Sequence, residues 1–550
     1  MTGCRPSAKS IVSRNCELVM LGMGAFPIPE SLPASRVRDN FRDDGTPNDP
    51  AYEKRAAFVS GRGDVVRGSH RRPQGRVKTV LVTKHGTTLL LAVAYLLSSH
   101  AICPGARAAD YARPPFKLLR YDEDYSFLAD PAQRTGFWDA LKYIPVAGGR
   151  AGFLCFGGEA RERFEAYENE FFSTNPNADN AYFLQRYLLH ADYHPTEWLR
   201  AFGQLQSSLE DGRAGGPRPT DRDSIDVHQL FADVAVKTRE DGRLTLRAGR
   251  QEMSYGSERL ISVREGLNNR RAFDAVRVLY QQPSVSMDAF FSSPVEVDKG
   301  AFDDQHVREV WFWGGYATVP FPSLPGIKLD FYYLGLHNPR AAFSQGVARE
   351  ERHTIGTRFF GKLGRWDFNH EALYQFGRFG SGDISAWSVA TDHGYTLENV
   401  WGKPRLGLKA AIASGDRGTN SANLQTLNPL FPRGNYFTEA ALLGPQNFFD
   451  VHPCLLLQPA PKWSFETGVD FYWRENLNDG IYTPGGSVVY RGNPTFARFV
   501  GTDFSFVIGW QATRHLNVSA GYTHFFVGRF IRENGGEDVN YGTVWASYKF

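Results

Sequence analysis

Cysteine is scarce in this chain, with five in 550 residues. That is too few for a disulfide scaffold, and the five show no zinc-type spacing. Net charge is also small, since 62 basic residues against 59 acidic ones leave +3. Nucleic-acid binding normally shows as a strongly basic face, so that class is excluded. Long apolar runs are missing as well. The run Leu89–Leu97 (LLLAVAYLL) holds nine residues, where a spanning helix needs about 20. A mean hydropathy of −0.38 leaves no room for a polytopic helical membrane protein. What the chain does have is glycine, 55 residues, and aromatic side chains, 14%. With moderate hydrophobicity, these point to β-structure.

Residues 1–80 show no sustained apolar period and are dense in Arg, Pro, Gly and Asp, which reads as a disordered leader or an over-long reading of the gene. Lys84-His85, the run Leu89–Leu97, Ser98-Ser99 and Ala106-Arg107-Ala108 then follow in order. A basic start, a short apolar stretch and an A-x-A exit predict a secretory signal over 81–108, cleaved before Ala109. A signal so far inside the chain places the true start near Val80 or Val82, with a genuine leader extension as the alternative. Ile102 before Cys103 argues against a lipoprotein, which wants a small residue there. Residues 109–150 read as a periplasmic N-terminal segment whose Phe137–Pro145 forms a short helix or a strap. Beyond Ala108 there are 46 basic and 51 acidic residues, so the exported part carries −5.

From residue 150 onward, apolar and polar residues alternate in segments separated by turn clusters. In Trp366–Phe376, Trp366, Phe368, Ala372, Tyr374 and Phe376 share one face, and Asp367, Asn369, Glu371 and Gln375 the other. Segments 464–474 and 499–511 repeat the pattern. Successive strand side chains point to opposite faces, so each segment has one apolar and one charged surface. A soluble sandwich would turn the apolar face to a core; a transmembrane barrel turns it to lipid and lines a lumen with the other. Aromatic residues at segment ends (Trp311-Trp313, Tyr332-Tyr333, Tyr472-Trp473) and the many charges of both signs favour the barrel. So does a last segment that alternates Val544, Ala546, Tyr548 and Phe550. An end in Phe550 resembles the signal read by the barrel-assembly machinery.

The expected fold is therefore all-β, a transmembrane antiparallel barrel of about 18 strands over 151–550 with long extracellular loops. The strands are expected near 153–166, 181–194, 198–208, 225–236, 243–251, 272–281, 284–293, 309–319, 327–336, 352–361, 365–377, 384–395, 404–414, 447–457, 463–474, 499–511, 515–527 and 541–550. Pro453 inside one segment and Glu162 on an apolar face are the two misfits. The gaps 415–446 and 475–498 are the longest. Phe431-Pro432-Arg433-Gly434 in the first suits a loop folding back over a pore mouth.

Enzyme readings find little. His190, His194, Ser207 and Ser208 lack anything to orient a nucleophile and base. His452-Pro453-Cys454 has no metal spacing, and Gly361-Lys362 follows no phosphate-loop pattern. Ser414-Gly415-Asp416 is like a calcium-loop fragment but reads more simply as a strand-end turn. No cofactor or metal is called for. A Cys155–Cys454 disulfide is left open.

Several stretches resemble the alginate-export family of outer-membrane porins. They are Gly157–Glu165, Leu246–Gln251 with Tyr255-Gly256, Arg270–Arg277, Ala413–Asp416 and Asn428–Gly434. The resemblance implies an 18-stranded monomeric barrel that passively exports a polyanionic polysaccharide through an Arg-rich constriction. An uptake porin for small anionic or sugar-like nutrients is the alternative. Arg suits such a path because its planar fork pairs a carboxylate bidentately and stays charged. Interleaved acids keep binding weak enough for passage. The pathway residues expected on polar faces are Arg161, Arg163, Arg186, Arg247, Arg277, Arg358, Lys409 and Arg474, with Glu159 and Asp274 among the acids. Arg250 falls on the face opposite Arg247 and marks a strand end. The partners expected are the anionic solute, outer-membrane lipid and lipopolysaccharide, and the assembly machinery through Phe550. The location expected is the outer membrane of a Gram-negative bacterium.

Overall fold

Alternation along the chain is realised as a single closed sheet in the computed structural model, which describes residues 113–146, 152–238, 241–418, 422–493 and 496–550. The expected leader and the signal over 81–108 lie outside the described residues. Numbering only the barrel strands, these are β1 (Phe153–Glu168), β2 (Asn180–His194), β3 (Leu199–Asp211), β4 (Asp223–Lys237), β5 (Arg243–Gln251) and β6 (Phe273–Gln281). They continue with β7 (Ser286–Glu296), β8 (Trp311–Pro320), β9 (Ile327–Phe343), β10 (Gly346–Leu363), β11 (Trp366–Phe379) and β12 (Gly382–Thr396). The last six are β13 (Arg405–Ala413), β14 (Phe448–Ala460), β15 (Trp463–Trp473), β16 (Phe499–Gln511), β17 (Leu516–Val527) and β18 (Val539–Lys549). Each pairs antiparallel with its sequence neighbour, and β18 closes on β1 through Glu159↔Lys549 to Glu168↔Asn540. Closure joins the first barrel strand to the last, which is what a strand-built membrane protein requires.

The outer surface is apolar. Leu230, Val234, Leu246, Val276, Phe331, Ile355, Val389, Leu408, Phe504 and Val544 are all exposed there. Aromatic pairs sit toward both rims: Trp463 against Trp510 and Trp366 against Tyr395 at one, Phe449 against Trp473 at the other. These are the two interfacial girdles of a membrane barrel. One rim carries short turns such as 364–365 and 461–462; the other carries the long loops 252–272, 414–447 and 474–498.

The strand expectations hold with two instructive extensions. β9 and β10 run on to a tight turn at 344–345, well past residues 336 and 352. There Ala341, Phe343, Phe379, Ile384 and Leu424 form a small apolar cluster that holds a stretch the polar sequence HNPRAAF disguises. A register shift between Asn338 and Ala341 absorbs the irregularity. Pro453 stays within β14, where pairing to β15 passes directly from Val451 to Cys454. Glu162 stays on the outer face, receiving hydrogen bonds from Gln185 Nε2 (3.1 Å) and Tyr187 Oη (2.7 Å). Cys155 and Cys454 are both buried and free, on β1 and β14. Phe137–Pro145 is helix and strap in turn: Asp139–Lys142 is helical, and Ile144–Pro145 pairs with Phe153–Leu154 of β1.

Candidate functional site in the lumen

The barrel does not enclose an empty lumen. The 252–272 and 414–447 loops fold into it and meet, with Ile261 bridged in parallel to Phe431 and Ser262 N donating to Phe431 O at 3.0 Å. Phe431 packs 5.2 Å from Phe273 and 4.8 Å from Phe312, ring to ring. Phe437 packs 5.0 Å from Phe448 and 5.1 Å from Tyr472. Burying each phenyl ring contributes about 1.5–3 kcal/mol, so these aromatics anchor the 414–447 loop to the inner wall.

The wall arginines of β1 and β2 hold the other loop. Arg161 donates to the carbonyls of Glu265 (2.8 Å) and Leu267 (2.6 Å). Arg186, fully buried, bonds the same two carbonyls and pairs with Glu159 (2.6 Å) and Glu265 (2.8 Å). Arg163 reaches Gly266 O (3.1 Å), Glu165 (2.7 Å), Glu439 (3.1 Å) and Tyr541 Oη (2.7 Å), so it contacts both loops. Arg270, in the loop itself, pairs with Glu252 (2.6 Å) and Glu265 (2.7 Å). Asn268 completes the anchor by donating to the carbonyls of Gln185, Leu209 and Asp221.

The remaining expected pathway residues divide. Arg247 pairs with Asp233 (2.7 Å), Arg277 with Asp288, and Arg358 with Asp330 (2.7 Å). Lys409 is half-buried against Glu466 (3.2 Å). The segment 117–123 lies across part of this wall. Tyr121 sits under Arg247 at 4.3 Å, packs against Phe202 and Phe231, and donates to Glu252 O at 2.8 Å. Arg120 reaches Gly158 O (3.0 Å) and Phe550 O (2.8 Å). Two expected residues lie off the inner wall. Arg474 falls just beyond β15 and is spent on the loop carbonyls of Leu477 (2.8 Å) and Ala497 (2.8 Å), because the strand stops at Trp473. Asp274 shares the strand face of exposed Val276 and Val278 and pairs with Arg250 at 2.9 Å. Ser207 and Ser208 donate to the carbonyls of Ser224 and Asn268.

Against this paired background, two arginines stand apart. Arg264 and Arg271 lie in the 252–272 loop, and neither guanidinium has a hydrogen bond or ion pair among the described residues; Arg264 Nε and Arg271 Nη1 are buried and unsatisfied. Burial pushes the Arg264 guanidinium down to about 10, and burial plus the Arg264 charge pushes Arg271 well down. Arg271 lies over the Phe431 ring at 4.9 Å. Two residues on, Arg433 has its own buried, unsatisfied Nε, and its backbone N–H is tied to Glu258 O (3.2 Å).

The sequence profile of the alginate-export family matches residues 153–545. The chain belongs to the alginate-export family. It is an outer-membrane channel of a Gram-negative bacterium, built as an 18-strand barrel. Among solved structures it is similar to OccK5 (OpdH) of Pseudomonas aeruginosa, at 12% identity and a TM-score of 0.47. It is also similar to OpdK of the same organism, solved with vanillate, at 12% and 0.48. A BenF-like porin from Pseudomonas fluorescens Pf-5 gives 10% and 0.49. Each alignment covers 72% of this chain and 98% of the other. No curated protein matches the chain.

For a member of this family, the residues that sequence reasoning passed over are those of the inward loops. Arg271 stands inside a family-like stretch, Arg270–Arg277, and Arg433 inside another, yet strand alternation gives neither a face. Arg264 carries no sequence signal at all; it lies in a gap between strands beside Glu265.

Proposed function

We propose that this channel conducts an anionic saccharide, a polyuronate-like chain moving outward by facilitated diffusion, and that Arg264 and Arg271 are the selective contact. The observation that carries this reading is that these two neighbouring, half-buried guanidinium groups, on a loop inside the lumen, have no ion pair or side-chain hydrogen bond among the described residues. Like charges brought together without a counterion are relieved by an anion, and a carboxylate matches the guanidinium fork. Arg433, on the facing loop, extends the same positive rim. The paired wall residues Arg247, Arg277, Arg358 and Lys409, interleaved with acids, offer weaker successive contacts, which lets a polyanion leave as well as enter. Family membership supports export of a uronate chain. The reading includes delivery by a signal cleaved near Ala108 and assembly through Phe550.

Planar-bilayer recording of the purified channel tests it. Anion-selective conductance blocked by oligouronates and not by neutral sugars is expected, with selectivity and block both falling several-fold in the Arg264→Ala/Arg271→Ala double variant. Cation selectivity, or equal block by neutral sugars, overturns the reading in favour of a less selective uptake porin.

A further inference from the structure

At the long-loop rim, β4 outlasts its neighbour. β5 ends at Gln251, and its last pair with β4 is Leu230↔Arg250, so residues 223–229 have no strand beside them on that side. The loop after β7 takes the vacant place. Ile225 bridges Ala301 in parallel, Ser224 N donates to Gly300 O (3.0 Å), and Phe302 N donates to Ile225 O (2.9 Å). Ser224 Oγ donates to Lys299 O (2.9 Å), and Asp304 N donates to Asp226 Oδ2 (3.0 Å).

This docking carries Asp304 against two acids of β4. One carboxylate oxygen from each of Asp223, Asp226 and Asp304 lies within 4.8 Å of the others. The neutralising charge nearby is small. Arg250 Nη1 stands 3.8 Å from Asp226 but is engaged with Asp274 at 2.9 Å, while Asp303 adds a further acid with a buried, unsatisfied Oδ1. A second observation is independent of the count. Asp223 has 0% of its surface exposed, and neither of its carboxylate oxygens has a hydrogen-bond partner among the described residues. Glu159 and Asp330, also buried, each receive donors, and Asp470, whose two oxygens likewise accept no hydrogen bond, has His452 Nδ1 at 3.3 Å. A bare, fully buried carboxylate turned toward two others lacks the partner that burial demands.

We infer that Asp223, Asp226 and Asp304 bind a hard divalent cation, Ca2+ by preference, which clamps the 297–310 loop to the top of β4. Oxygen-only ligation with carboxylates from separate chain segments suits Ca2+, which tolerates irregular geometry and completes its shell with water. The long-loop rim of an outer-membrane barrel faces the medium, where external sites of this kind work at about 0.1–1 mM Ca2+. The site is separate from the lumen arginines, and its test does not depend on what the channel conducts.

Calorimetric titration of the EDTA-stripped full barrel with CaCl2 provides the test. One saturable site is expected, together with a loss of at least tenfold in affinity in Asp223→Asn and in Asp304→Asn. Each variant is checked for the heat-modifiable gel shift of a folded barrel. Trypsin cleavage after Lys299 should be several-fold slower with Ca2+ in the parent and unchanged by Ca2+ in the variants. Absence of binding up to 5 mM Ca2+ (about five times the weak end of that range), or binding that both variants retain, overturns the inference.

Discussion

The arginines of the barrel wall and two of those in the inward 252–272 loop, Arg264 and Arg271, carry the same charge in opposite circumstances. On the wall, the ladder itself supplies partners. Arg247 stands directly opposite Asp233, and Arg358 opposite Asp330, because register sets one residue against another on the same face. Arg277 takes Asp288 one step along the diagonal. In the 252–272 loop there is no ladder to oblige a partner: Arg259 and Arg270 find carboxylates there, while Arg264 and Arg271 have no ion pair or side-chain hydrogen bond among the described residues. The difference teaches that charge on an alternating strand is first a way to fill a lumen wall stably. Charge that is available to a passing solute collects where the sheet stops.

The strongest way to break this comparison is to disarm the wall. Arg186→Ala removes the group that joins Glu159, Glu265 and two loop carbonyls, leaving a buried carboxylate behind. The expected loss is about 3–5 kcal/mol, as for breaking other buried ion pairs, read as a lower urea or thermal midpoint of the heat-modifiable barrel. Released from its anchor, the 252–272 loop should also open the lumen, raising single-channel conductance. A variant as stable as the parent would show that the wall pairs are not what holds the loop.

Arg264→Ala/Arg271→Ala sharpens the comparison from the other side. Arg271 gives up its stacking on Phe431, but neither group leaves a carboxylate unpaired and each loses an unfavourable neighbour, so stability should move by less than about 1 kcal/mol, in the range of changes away from buried networks. The same midpoint assay decides it. A destabilisation as large as that of Arg186→Ala would mean these two arginines hold structure after all, and would take them out of the solute path.

The fold was legible for a physical reason. A strand with lipid on one side and a polar lumen on the other must alternate, and segments 243–251 and 499–511 appear with unchanged limits. What alternation cannot carry is pairing. It places Arg161, Arg163 and Arg186 on the lumen side, but their loop carbonyl partners lie about a hundred positions away. Arg474 misses the wall by a single position at a strand end, and Asp274, expected on a polar inner face, lies on the outward face of its strand with Val276 and Val278. The inward course of 252–272 left only one trace, a gap without alternation. The apolar and basic Phe431–Gly434 was the clearer sign that a loop returns to the lumen.

The rim acids give the smallest and most specific test, because they repeat the unpaired-loop situation with the sign reversed. Asp304 lies in a loop, and its carboxyl is pushed up to about 6 from the usual 3.8, chiefly by burial and then by Asp226 and Asp303, against the lowering N–H of Asp298. A carboxyl whose value is raised on docking favours the docked loop only while protonated. Its contribution is full below about pH 4 and is lost as pH rises through about 6. A dye on Lys299→Cys, an exposed position in the same loop, should therefore lose anisotropy as EDTA-treated barrel is taken from pH 4 to pH 7. Saturating Ca2+ should flatten that curve, since the cation replaces the protons as the counter-charge. A profile already flat without cation would mean that the three acids do not control the loop, and that only the lumen arginines are unpaired in a way that matters.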